Sequence, residues 1–149
     1  MRALTTNVAE IKVSYIPTDR PGTQLTCSND VYAELKNWFP IDTISLQEQF
    51  ICLYLNRANR ILGAYEVSRG GITGTVADPR LILAVALKSG AVGIIIAHNH
   101  PSGNLKPSKS DELLTSKIKD GGQLLDIQLV DHLIVSSEGY FSFADQGLV

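Results

Sequence analysis

His98 and His100 stand one residue apart at the end of an apolar run, and Ser108 and Asp111 follow after a short Pro/Ser/Gly/Asn-containing stretch. Two imidazoles and a carboxylate form a ligand set that suits Zn²⁺ in an open, catalytic site. Side chains two apart on an extended segment share a face, so His98 and His100 can reach one ion while Asn99 points away. Pro101 then directs the exit of the segment, and Gly103-Asn104 lets the backbone turn sharply enough for Asp111 to return to the histidines. Two nitrogens and one oxygen leave a fourth position for water, which makes metal-assisted hydrolysis the expected chemistry. A second reading of the same residues is structural: Ser108-x-x-Asp111 also matches the pattern in which a serine and an acidic residue cap the start of a helix.

Positioning these groups falls to the surrounding elements. The run from Ala91 to Ala97 is almost uniformly apolar, as a central strand covered on both faces would be, and it leads straight into the histidines. Hydrophobic spacing in Leu113, Leu114 and Ile118 predicts a helix from Ser108 to about Lys119, with Gly121-Gly122 as its stop. Upstream, Val8 to Ile16 alternates as a strand, and Asp19-Arg20-Pro21-Gly22 turns the chain. A helix opens at Ser28 as N-cap, carries Val31, Leu35, Trp38 and Phe39 at helical spacing, and closes at Pro40. Gln49 to Asn56 and Ile61 to Ser68 read as strands joined by a hairpin at Arg57 to Arg60. Asp78-Pro79 opens another helix through about Lys88, which Ser89-Gly90 ends. Leu125 to Val135 reads as one or two strands, with a short edge at Tyr140 to Phe143. The expected fold class is mixed α/β. Core strand, histidines and helix start converge where α/β sheets place their sites.

At 149 residues, 44% hydrophobic and 19% charged, the chain suits a single domain with its own core. Residues 1–27 are expected to form an N-terminal extension with a strand, and 28–149 the domain proper. Cys27 and Cys52 lack ligand spacing and read as buried thiols, which points to a reducing, cytoplasmic setting. No leader pattern or bilayer-length apolar run stands out, so no membrane partner is expected. A net charge of −2 and a pI near 5.9 argue against a strong non-specific grip on nucleic acid.

The motif His98-x-His100-Pro101, followed after six residues by Ser108-x-x-Asp111, resembles the signature of the JAMM metalloenzymes, also called JAB or MPN domains. His98-Asn99-His100-Pro101-Ser102-Gly103 together with Asp131-His132-Leu133-Ile134-Val135 resembles the RadC-like branch, sometimes labelled as DNA repair proteins. The resemblance covers roughly Gln47 to Val135, and residues before Ser28 match it poorly. It implies a mixed central β-sheet flanked by helices, with a cytidine-deaminase-like architecture. It further implies one Zn²⁺ held by His98, His100 and Asp111, with Ser108 hydrogen-bonding the oxygen that turns negative during reaction. The family also uses an upstream glutamate to move protons, for which Glu48 fits and Glu66 is the alternative. Glu48 has a bland reading too, as a capping partner of Ser45. The implied activity is cleavage of a peptide or isopeptide bond in a polypeptide substrate, beside a protein partner or a second copy of the chain. The alternatives are a non-catalytic or DNA-associated module, and a metal-dependent nuclease.

The remaining chemistry-bearing residues have simpler readings. His132 reads as a strand residue that satisfies neighbouring backbone, with support of a metal ligand as the second option. Lys106, Lys109, Lys117 and Lys119 interleave with Asp111, Glu112 and Asp120 as a solvated helix face. Arg57, Arg60 and Arg69 form a patch for nucleic acid only if the turns gather them. Gly70-Gly71-Ile72-Thr73-Gly74 lacks the Lys-Ser/Thr of a nucleotide-binding loop and reads as a connection. His98-Asn99-His100 is not the HNH nuclease motif, whose three residues lie on separate elements.

Overall fold

The computed structural model describes residues 7–71 and 76–149; Gly74 and its neighbours in the glycine-rich connection lie outside the described residues. Eight elements follow in order: α1 (Ser28–Leu35), β1 (Gln49–Leu55), β2 (Ile61–Arg69), α2 (Pro79–Ser89), β3 (Gly93–Asn99), α3 (Lys109–Leu124), β4 (Gln128–Val135) and β5 (Tyr140–Ser142). The strands form one mixed sheet in the order β2-β1-β3-β4-β5. β3 and β4 run parallel, joined by the α3 crossover, and the other neighbours are antiparallel. This is a mixed α/β fold, with the central sheet flanked by helices that the family resemblance implies.

β1 and β3 are buried at every position, which their Ile, Leu, Phe and Tyr content supports without an outward polar face. On one side of the sheet Phe50, Cys52, Tyr54, Ile94 and Ile96 pack with Ile82 and Ala86 of α2 and Ile118 of α3. On the other, Ile51, Leu53, Ile95 and Ala97 pack with Val31 and Leu35 of α1 and with Phe39 and Ile44. Two helices therefore cover one face and α1 with its following turns covers the other. α2 starts as its sequence predicts: the Asp78 carboxylate accepts from the Arg80 amide, Pro79 takes the first turn, and Gly90 ends the helix at φ 71°.

Several boundaries differ from the sequence-based expectation. Residues 9–16 form no strand: Ile11 is 88% and Ile16 86% exposed, although the Tyr15 hydroxyl donates to the Leu62 carbonyl. Alternation needs a partner ladder to bury one face, and pairing begins further on, where Leu25 N donates to Asn59 O and Ile61 N to Thr23 O. Ser28 lies inside α1 rather than capping it, and its hydroxyl turns to Asp145 and Tyr140. α1 ends at Leu35, so Phe39 reaches the core from a turn. Cys52 is buried as expected, with its thiol pushed up to about 12 by burial, but Cys27 is exposed; both are free.

The Gly121-Gly122 pair does not stop α3, which continues to Leu124. These glycines serve close packing instead. A Cβ on Gly122 would lie 2.4 Å from the Ile127 carbonyl oxygen, while one on Gly121 would lie 3.0 Å from the end of the Leu83 side chain. Backbone cannot yield as a leucine methyl can. Gly122→Ala is accordingly expected to lose about 1–3 kcal/mol in urea unfolding, and Gly121→Ala less; equal stability of Gly122→Ala and the unsubstituted protein would contradict this account.

Candidate metal centre

The period of β3 sends Ile94, Ile96 and His98 to the α2–α3 face and Ile95, Ala97 and Asn99 to the α1 face. His98 is 1% exposed, and its ring stacks on Phe50, its cross-strand partner, with centroids 5.6 Å apart. His100 lies just beyond the strand, with Nδ1 2.7 Å from the Asn104 carbonyl oxygen. A carbonyl only accepts, so Nδ1 carries the proton and a neutral His100 has its Nε2 lone pair free. The Nε2 atoms of His98 and His100 are 3.0 Å apart.

α3 delivers the carboxylate. The capping box is formed in full: Ser108 Oγ accepts from Asp111 N at 3.0 Å, and Asp111 Oδ2 accepts from Ser108 N at 2.8 Å. Capping does not divert Asp111 from the histidines, because its Oδ1 lies 3.2 Å from His98 Nε2 and its Oδ2 3.3 Å from His100 Nε2. The capping reading of Ser108-x-x-Asp111 holds, and it leaves the Asp111 carboxylate beside both imidazoles. Ligand atoms bonded to one zinc-sized ion at about 2.0–2.1 Å stand about 3.3 Å apart at the corners of a tetrahedron. The 3.0 Å between the two Nε2 atoms suits two such corners, and the Asp111 carboxylate faces them with a different oxygen to each imidazole, at 3.2 and 3.3 Å.

Burial alone would raise the Asp111 carboxyl, but hydrogen bonds from His100 and His98 outweigh it and hold the group well below its ordinary range. His100 is raised in turn by its bond to Asp111, against the opposing effect of burial.

Glu48 reaches the same place from another element. Its carboxylate and the two histidines present ligand atoms within 4.8 Å of one another, a group able to hold a metal. Residues 41–46 form successive turns and no helix begins at Ser45, so the capping alternative for Glu48 falls away. What holds the segment is Asn99, which sequence reasoning passed over as the spacer between histidines. Its amide donates to Ile44 O and Gln47 O, both at 2.8 Å, and its oxygen accepts from Gln49 N at 2.7 Å. Gly70 N adds a 2.8 Å bond to Glu48 O. Glu66, the alternative, lies in β2 with both oxygens on Arg69, at 2.7 and 3.1 Å.

His132 departs from its simplest reading. Its buried ring bonds side chains rather than backbone: Nε2 is 2.9 Å from His98 Nδ1, and Nδ1 is 2.7 Å from Thr115 Oγ1. The parallel register explains this, because His132 sits opposite Ile96, two residues before His98 and on the same face. Thr115, one helical turn after Asp111, was also missed; that spacing was its signal in the sequence.

The lysines lie mainly at the surface as expected, with Lys119 half-buried. Arg57 and Arg60 flank the hairpin while Arg69 ends β2, and Arg60 and Arg69 are bonded to Gly22 O and Glu66. They share no patch. Among the described residues, no helix is long and apolar enough to cross a membrane.

Comparison with known proteins identifies relatives of this chain. Residues 25–148 match the family model described as the RadC-like JAB domain. A protein of Flavobacterium johnsoniae named UPF0758 protein is 41% identical over 125 residues, covering 84% of this chain and 53% of that protein. A UPF0758 protein of Porphyromonas gingivalis is 46% identical over 104 residues, 69% of this chain and 46% of its own length. One from Methanosarcina acetivorans is 36% identical over 131 residues, 88% of this chain and 56% of its own. The chain thus spans about half the length of these curated relatives. With a match that takes in the sheet, both histidines, Ser108 and Asp111, the chain belongs to the RadC-like JAB domain family.

Proposed function

We propose that this domain is a zinc-dependent hydrolase that cleaves a peptide or isopeptide bond in a polypeptide substrate. His98, His100 and Asp111 hold the ion, Glu48 moves the proton, and Ser108 steadies the oxygen that gains charge. The observation that carries this reading is the convergence of the His98 and His100 Nε2 atoms, 3.0 Å apart, with the Asp111 carboxylate facing both and the Glu48 carboxylate grouped with the two histidines. Zinc in such a site supplies Lewis acidity and lowers the pKa of water to about 7.

The chain's own groups do the rest. Glu48 takes a proton from the attacking water and returns it to the leaving amine, since an amine leaves only when protonated. Its bracketing by Asn99 bonds on both sides supports a fixed carboxylate. Ser108 Oγ accepts from Asp111 N, which leaves its own proton free to donate towards the substrate oxygen. Free cysteines suit a cytoplasmic setting.

Glu48→Gln is expected to retain one zinc by elemental analysis while cleavage of linear-peptide and lysine-isopeptide libraries falls about 10²- to 10⁴-fold. His98→Ala is expected to lose the metal. Full turnover by Glu48→Gln, or a wild type without stoichiometric zinc, would sink the assignment.

The pH dependence has a defined sign. In the metal-free protein His100 is raised above its ordinary value of 6.5, so its stabilisation is full below that value and is lost as pH rises through the raised one. Zinc takes the neutral imidazole and must displace that proton. The extra stability conferred by saturating zinc should therefore be larger at about pH 8 than at about pH 6; urea unfolding with and without the ion measures it, and the opposite order would contradict His100 as a ligand.

A further inference from the structure

We infer that His132, backed by Thr115, is a positioning residue for the metal site, which sets the tautomer and orientation of His98; the inference rests on the reading that His98 Nε2 binds the ion. A metal-bound Nε2 has no proton, so a neutral His98 carries its proton on Nδ1. That proton points at His132 Nε2, 2.9 Å away, which must then accept it with its lone pair. His132 in turn carries its proton on Nδ1 and donates to Thr115 Oγ1 at 2.7 Å. The Thr115 hydroxyl passes the direction on to the Asp111 carbonyl at 2.6 Å.

Each donor meets an acceptor, and the chain of bonds ends on the residue whose carboxylate faces His98 Nε2. His132 is wholly buried and stacks on Phe143 with ring centroids 4.5 Å apart, which holds its plane. The partner behind a histidine ligand is usually a carboxylate, a backbone carbonyl or water. Here it is a buried imidazole, held between His98 and Thr115. It orients His98 without adding negative charge behind the ion.

Zinc affinity, measured by competition with a chromogenic chelator, separates this role from simple packing. His132→Phe keeps a flat ring between Phe143 and Phe50 but offers no acceptor, and is expected to weaken zinc binding about 10- to 100-fold. Its metal-free thermal midpoint is expected to fall by a few degrees, because His98 Nδ1 loses its buried partner. His132→Gln, whose amide oxygen can take the His98 proton, should bind within a few-fold of wild type, and Thr115→Val should lose affinity in the same direction as His132→Phe. Nitrogen-15 spectra of zinc-loaded wild type should show His132 protonated on Nδ1, a readout that needs no variant to fold. Wild-type affinity in His132→Phe, or His132 protonated on Nε2, would overturn the role of His132. Absence of zinc uptake by the wild type would instead overturn the metal site on which it rests.

Discussion

The site depends on one constraint, the two-residue period of a strand buried on both faces. Because β3 is covered by α2 and α3 on one side and by α1 with residues 39–44 on the other, His98 and Asn99 are driven in opposite directions. Each direction has its own use. His98 meets the start of α3 and its carboxylate, while Asn99 takes hold of the segment that carries Glu48. A register slip of one residue would exchange the two and leave an imidazole among carbonyls and an amide facing Asp111. The geometry is inherited from the core rather than from the loops around it.

Three elements meet at this point with little freedom left to any of them. β3 is paired on both edges, by β1 and β4. The α3 N-terminus is closed by its capping box, and the segment before β1 is held by side-chain and backbone bonds. Preorganisation of this kind lowers the cost of assembling reactive groups, since their ordering is met by folding. The charges balance by the same means: Asp111 stays ionised in a half-buried place because both histidines face it.

Much of this was legible in the sequence. The apolar run into His98, the Asp78-Pro79 helix start and the Ser108-x-x-Asp111 cap are local signals, and each element forms where its signal lies. Glu48 needed the resemblance to a family, since nothing local distinguishes it from a surface glutamate. What stayed hidden depends on through-space partners. Asn99 bonds to residues about fifty positions away and His132 to a ring 34 positions away, so neither role leaves a periodic trace. Gly121-Gly122 misled because close approach and helix termination call for the same residue. The alternation in residues 9–16 misled because pattern alone does not supply a neighbouring strand.

The double duty of Asp111 carries a consequence for the life of the molecule. One carboxylate both closes the first turn of α3 and faces the two histidines, so whatever sits between those groups also secures the crossover that joins β3 to β4. Binding at a site shared with a helix start stabilises the folded state by mass action, and the gain falls on that turn first. On the proposed function, an ion bound there would therefore also protect the start of α3 from local opening, and with it a newly made chain from proteolysis.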